Sequence, residues 1–320
     1  MPDISTVRDY MTKYSNWGRW GDDDELGTLN HVTPEIRARA ASLVKSGRPF
    51  SLALPFDENG PQRGTFNRFN PIHLMTRDGA DAIAGTLVRD FYGNHDRHFG
   101  ATDDLVILPL QAGTQWDSLA HVIYQGQIYN GYSADQVSSK GALRNDITHA
   151  AVEPAGRGIL LDIARLKGVD WLEGGTAITG DDLDAALEKQ GITVQTGDFV
   201  LIRTGAMTEV RARGSWGEYA GGAAAGLGLE AIDWIARHEI AAVATDTWGM
   251  EVLPNQTPDV FQPLHLVLIV QMGLLVGEIW DLDALAADCA DDGVYEFFFV
   301  GPALPFTNAV ASPLNPLAIK

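Results

Sequence analysis

The stretch Gln111-Ala-Gly-Thr-Gln115-Trp-Asp117-Ser-Leu-Ala-His121 decides most of what can be read from this 320-residue chain. It follows an apolar run, 105–110, and as extended backbone it sets Gln111, Gln115, Asp117 and His121 on odd positions, projecting from one side. Amide, carboxylate and imidazole groups beside an apolar strand are costly to bury unless they satisfy one another, meet water or grip a cation. A hydrogen-bonded strand end accounts for the spacing as well as a metal site does.

Further along the chain, Pro263-Leu-His265-Leu-Val-Leu-Ile-Val-Gln-Met-Gly-Leu-Leu-Val-Gly-Glu278 sets a histidine and a carboxylate in its most apolar segment. Each needs a partner there. Asp117, His265 and Glu278 together offer two carboxylates and one imidazole, a set suited to zinc, manganese or iron(II). A His–Glu hydrogen bond of purely structural value is the other reading.

Around these stretches the chain reads as one α/β unit. Apolar runs at 105–110, 158–163, 198–203, 240–244 and 275–280, bounded by Gly and Asp, predict buried strands. Helices are predicted over 34–45, 181–190 and 229–237; the second has Thr179 or Asp181 to cap it and Gly191 to end it. Residues 1–100, rich in turn-formers and aromatics, are expected to form an extension wrapped on a catalytic domain of 101–320. No repeat or linker divides the chain.

Composition narrows the partners. The formal net charge of −19 repels nucleic acid and anionic membrane surfaces, so neither is expected to bind. The apolar segment 264–280 is broken by His265, Gln271 and Glu278 and reads as buried sequence, not as a membrane span. With one cysteine, Cys289, no internal disulfide forms, and a cytoplasmic location is expected. Asp288, Asp291 and Asp292 around that thiol make it structural rather than nucleophilic.

Three familiar motifs fail for want of a part. His238-Glu239 begins a zinc-protease pair, but Ala242 stands at the second ligand position. Gly226-Leu-Gly228-Leu-Glu-Ala231 imitates a dinucleotide fingerprint without a preceding strand. Gly131-Tyr-Ser133-Ala-Asp135 lacks the second glycine of a nucleophile elbow.

The 111–121 stretch resembles the His-x-Gly-Thr-His-x-Asp-x-Pro-x-His signature of the cyclase family, which includes bacterial kynurenine formamidase and isatin hydrolase. The likeness extends to Trp20-Gly-Asp-Asp-Asp-Glu-Leu-Gly-Thr-Leu-Asn30, Gly156-Arg-Gly-Ile-Leu-Leu-Asp162, Gly197-Asp-Phe-Val-Leu-Ile-Arg-Thr-Gly205, the His265 to Glu278 stretch and Ser312-Pro-Leu-Asn-Pro-Leu-Ala318. It implies a swivelling β/β/α fold, a mixed sheet flanked by helices, assembled as a homodimer or homotetramer. In the family, the first two histidines and the aspartate of the signature hold a divalent metal, and a distant His and Glu complete the site. Here those positions are Gln111, Gln115 and Asp117, with His265 and Glu278 distant.

Two imidazoles have therefore become amides. Amide oxygen is a neutral, harder ligand, which favours one exchangeable ion held by Gln115, Asp117, His265 and Glu278: manganese first, zinc or magnesium next. The resemblance makes His121 the general base, acting with Asp117 on metal-activated water, while Leu119 replaces the signature proline. The segment Asp246-Thr-Trp248-Gly-Met-Glu251 is expected near the site, and Gln111, Trp116, Trp248, His73 and Phe69 are candidates for substrate contacts. The expected activity is hydrolysis of a small cyclic amide, imide, lactone or formamide-like compound. A metal-free isomerase, dehydratase or cyclase using Asp117 and His121, and a non-catalytic small-molecule binding protein on the same fold, are the alternatives.

Overall fold

The computed structural model describes residues 2–93 and 98–320. Its centre is a mixed sheet of nine strands: β1 (Pro49–Ser51), β2 (Gln115–Asp117), β3 (Ala155–Asp162), β4 (Phe199–Arg203), β5 (Ala242–Thr245), β6 (Leu275–Glu278), β7 (Glu296–Val300), β8 (Ala311–Pro313) and β9 (Leu317–Ile319). They lie side by side in the order β1-β9-β7-β3-β4-β5-β6-β2-β8. Strands β3 to β6 run parallel to their neighbours within that group, and the flanking pairs are antiparallel. The fold is thus the mixed α/β architecture that the resemblance implies.

Continuous apolar runs form the central strands because both sheet faces are covered. One face sends Ile159, Leu161, Val200, Ile202, Val243 and Val276 into a core shared with Leu183, Ile232 and Trp234 from two helices, Gly180–Gln190 and Ala231–His238. The first of these helices starts at a Thr179 capping box and stops at left-handed Gly191. The opposite face packs Leu160, Phe199, Leu201 and Leu275 against Trp116, Trp280, Phe297 and Phe299.

The run 105–110 departs from its reading as a buried strand. Asp103–Ile107 pairs instead with Ile72–Arg77 in a separate two-stranded ribbon, exposed along nearly its whole length. Apolar content alone does not distinguish a strand entering a core from one whose only partner is a hairpin arm. Residues before 100 are packed on the rest of the chain. The ribbon joins sequence on both sides of residue 100, β1 belongs to the main sheet, and Val7 and Met11 of the helix Ile4–Lys13 lie in the core. Among the described residues, no helix is long and apolar enough to cross a membrane.

Candidate metal and active site

Strand alternation separates the residues of β2. Asp117 pairs with Val276, Trp116 with Gly277 and Gln115 with Glu278, so Gln115, Asp117 and Glu278 gather on one face while Trp116 enters the opposite core. Gly277 makes this possible: a Cβ there would sit 2.6 Å from Trp116 Cζ3 and 2.8 Å from the Ala244 Cβ. Trp116 packs on Trp280 and Phe299 at ring distances of 4.8 and 6.3 Å, so it is core and not a substrate contact.

Only residues 115–117 of the 111–121 stretch are extended strand; a turn after Asp117, closed by the His121 N–H on the Ser118 carbonyl at 3.1 Å, returns His121 toward the site. His121 Nε2 lies 3.8 Å from Asp117 Oδ1, and its Nδ1 is 3.5 Å from Gln111 Nε2. The side chain of His121 is 24% exposed whereas that of Asp117 is buried, so the imidazole connects the cluster to open space.

His265 arrives from the other direction. Gln262, at φ +49°, turns the chain into Pro263–His265, the first turn of a helix that continues as a π-helical stretch, Leu266–Gln271. The buried carboxylate of Glu251 accepts the N–H groups of Leu264 and His265 at this helix start (3.2 and 3.3 Å) and an amide hydrogen of Asn255 at 3.3 Å. Its contact with His265 Nδ1 is 2.6 Å, which directs Nε2 to Glu278 Oε1 at 3.2 Å. A carboxylate behind a histidine fixes the ring and its tautomer, the arrangement that orients metal-binding imidazoles. Beyond Glu278, Ile279 is buried with φ +62°, a conformation that costs a β-branched residue free energy. It is held by the Ile279 N–H on the Thr247 carbonyl (2.9 Å) and by Thr114 Oγ1 on the Ile279 carbonyl (2.6 Å).

One Asp117 oxygen, one Glu278 oxygen and one His265 nitrogen lie within 4.8 Å of one another, all buried. Burial pushes the Asp117 carboxyl above its ordinary value, with the His121 charge opposing and the Glu278 charge reinforcing. Burial acts on Glu278 in the same sense, but the hydrogen bond and charge of His265 outweigh it and this carboxyl ends low. For His265, burial disfavours the imidazolium, yet the hydrogen bonds to Glu251 and Glu278 win and raise it to about 10. Gln115 Nε2 donates to Asp117 Oδ1 (3.3 Å) and Glu278 Oε2 (3.1 Å), while Gln115 Oε1 and Asp117 Oδ2 are buried with no hydrogen-bond partner among the described residues. Two orphaned oxygens at a cluster of ligand atoms fit a dication. With the amide oriented in this way Gln115 is a donor to the carboxylates; as a ligand its oxygen would face inward, which two carboxylates tolerate only around a cation.

The cluster opens into a cavity of about 490 Å³ whose walls include Phe66, Arg68, Gln111, His121 and Trp248. Trp248 donates its indole N–H to Gln62 Oε1 at 3.2 Å, and Gln62 Nε2 reaches the Ala112 carbonyl at 3.0 Å, tying the aromatic wall to the start of the signature stretch. Phe66 stacks on Trp248, with ring centroids 5.7 Å apart and planes at 20°. Two proposed wall residues lie elsewhere. His73 stands on the exposed ribbon, 2.8 Å from Asp104, and Phe69 lies outside the cavity lining, its place taken by Phe66. Phe66 and Arg68 escaped sequence reasoning because Arg63-Gly-Thr-Phe-Asn-Arg68 has no periodicity, only the turn-formers Gly64 and Asn67 as a signal of unusual backbone.

A mixed sheet presenting a buried Asp–His–Glu cluster at one end, under an aromatic-walled cavity, defines an α/β protein with a candidate dication site. Residues 50–252 match the cyclase family model, described as "Putative cyclase". A crystal structure described as a novel cyclase is 38% identical, with 97% of this chain and 99% of that one covered at a TM-score of 0.86. The chain belongs to the cyclase family. Isatin hydrolase A from Ralstonia solanacearum (18% identity, 89% and 97% coverage, TM-score 0.62) shares the fold. So does isatin hydrolase A from Labrenzia aggregata bound to benzyl benzoate (18%, 87% and 94%, TM-score 0.57). No curated protein sequence matches the chain.

Proposed function

We propose that this protein is a dication-dependent hydrolase acting on a small flat cyclic amide, imide, lactone or formamide-like compound. The observation that carries the reading is the buried Asp117–His265–Glu278 group, with its orphaned oxygens, at the base of the cavity that also receives His121. The hydrolytic class is further supported by the isatin hydrolases that share the fold.

Asp117, His265 and Glu278 would hold the ion, with Gln115 joining them once its amide oxygen turns inward. A set of mostly oxygen ligands favours manganese, with zinc or magnesium as alternatives. When bound, the ion supplies polarisation of the carbonyl and acidification of water. The chain's own residues do the rest. His121, its Nε2 3.8 Å from Asp117 Oδ1, accepts a proton from the attacking water and returns it to the departing nitrogen or oxygen. Glu251 keeps Nε2 of His265 turned to the cluster. Trp248 and Phe66 hold the flat substrate and limit water.

A screen of cyclic amides, imides, lactones and N-formyl arylamines, with manganese and with chelator, tests this reading. Manganese-dependent consumption of at least one class is expected, and inertness of all of them contradicts it. The Gln115 amide bridging both carboxylates favours a second reading, metal-free isomerisation or dehydration by Asp117 and His121. Turnover indifferent to chelator would select it.

We propose a homodimer or homotetramer on the strength of the two-stranded ribbon, since such a ribbon is marginal in water without cover and here Ile72, Leu74, Leu105 and Ile107 are exposed. The partner is a second copy of this chain, consistent with the expectation from the family resemblance. Light scattering giving the mass of one chain contradicts it.

A further inference from the structure

We propose that Arg68 is the specificity-determining residue of this site, taking a carboxylate carried by a planar substrate whose ring lies along Phe66 and Trp248. The inference deepens the hydrolase reading and rests on it for the word substrate. The guanidinium carbon of Arg68 lies 5.4 Å from the Trp248 ring centroid and 5.7 Å from that of Phe66. Arg68 lines the same cavity as His121, His265 and Glu278. Among the described residues its guanidinium makes no ion pair and no side-chain hydrogen bond, although acidic residues outnumber basic ones 42 to 23. Its planar fork of N–H donors, stacked on aromatic faces and open to a cavity, matches a carboxylate held bidentately.

The backbone is built to keep it there. Gly64 is at φ +100°, and the next but one residue, Phe66, and Asn67 are both left-handed at φ 55° and 59°. Consecutive non-glycine residues in this region are unfavourable and persist where surrounding contacts over-determine them. The contacts here are reciprocal main-chain bonds: Arg68 N–H to the Thr65 carbonyl and Gly64 N–H to the Arg68 carbonyl, both 3.1 Å, with Thr65 Oγ1 tied to the Ala220 carbonyl at 3.3 Å. The turn sets Phe66 on Trp248 and extends Arg68 across both rings.

Charges of both signs face the cavity. Asp117 and Glu278 repel a second anion, whereas the Arg68 guanidinium, whose charge also acts on these two carboxylates, attracts one. A substrate with its reacting carbonyl at the cluster and its carboxylate on Arg68 meets both demands. A neutral compound of the same shape leaves Arg68 without a partner when the cavity dries, which is a strong basis for discrimination.

Calorimetric binding of 2-naphthoate and of the neutral 2-naphthamide to the metal-loaded full chain tests the proposal, with Arg68→Gln and Arg68→Lys alongside. Tighter binding of the carboxylate by roughly 10- to 100-fold is expected, from a charge-assisted bond in a partly buried site. Arg68→Gln should erase that preference, and Arg68→Lys should keep part of it. Equal binding of the two probes by the native protein, binding of neither, or a preference that survives in Arg68→Gln overturns the proposal. Because the readout is binding, a protein that discriminates yet hydrolyses nothing would refute the hydrolase reading and leave the role of Arg68 standing.

Discussion

Replacing Glu251 by glutamine changes one oxygen to an NH2 group at almost constant volume, and it tests whether this buried carboxylate positions His265. Four donors converge on Glu251: the Leu264 and His265 N–H groups at 3.2 and 3.3 Å, His265 Nδ1 at 2.6 Å, and Asn255 Nδ2 at 3.3 Å. A glutamine has one acceptor oxygen, so at least one of these donors must face an amide N–H. The helix start keeps some of its bonds, but the short contact that holds the imidazole loses its charge. Loss of an outer partner of this kind lowers metal affinity by about 10- to 100-fold, equivalent to roughly 1.4–2.7 kcal/mol. A donor left without a partner at full burial costs a further ~1–3 kcal/mol of folding stability. Manganese titration by calorimetry, with urea unfolding of the same preparations, separates the two effects. Should Glu251→Gln fold and bind manganese as tightly as the native protein, the reasoning that Glu251 directs His265 at an ion is refuted.

The same geometry leads to other expectations. Gln115→His places an imidazole where the amide now bridges Asp117 and Glu278, and should tighten zinc more than manganese; equal zinc affinity in the two proteins would mean that position 115 does not reach the ion. His121→Ala should cut turnover by about 10²–10⁴-fold while manganese binding stays intact, and retention of full turnover would remove His121 from proton transfer. Gly277→Ala should destabilise the fold by about 1–3 kcal/mol in urea unfolding, because its methyl meets Trp116 and Ala244 inside the van der Waals limit; unchanged stability would show that β2 and β6 separate more easily than their packing implies.

Most of the sheet was legible because the central strands are buried on both faces and leave uninterrupted apolar sequence between Gly and Asp. Asp117, His265 and Glu278 were legible for a related reason: charged groups inside apolar sequence must find partners, and here they find one another. The 105–110 run misled because a ribbon arm has the composition of a core strand, and only its pairing shows that it has no second layer. The odd-position rule worked for Gln115 and Asp117, which are strand, and could not describe how His121 returns by a turn. Trp116 was expected at the substrate, but its even position on the same strand sends it through the sheet into the opposite core. Phe66 and Arg68 were missed since left-handed turns with no periodicity reveal neither where a side chain points nor what lies across the cavity. The strain at Ile279 was invisible for the same reason: nothing in its residue type announces a positive φ.

One ion seated among Asp117, His265 and Glu278 underlies every role proposed for the site, and stoichiometric titration tests it directly. Manganese added to metal-stripped protein, followed by electron paramagnetic resonance, should give one tight site per chain that disappears in both Asp117→Asn and Glu278→Gln. A native protein with no such site, or variants that bind manganese unchanged, would contradict it.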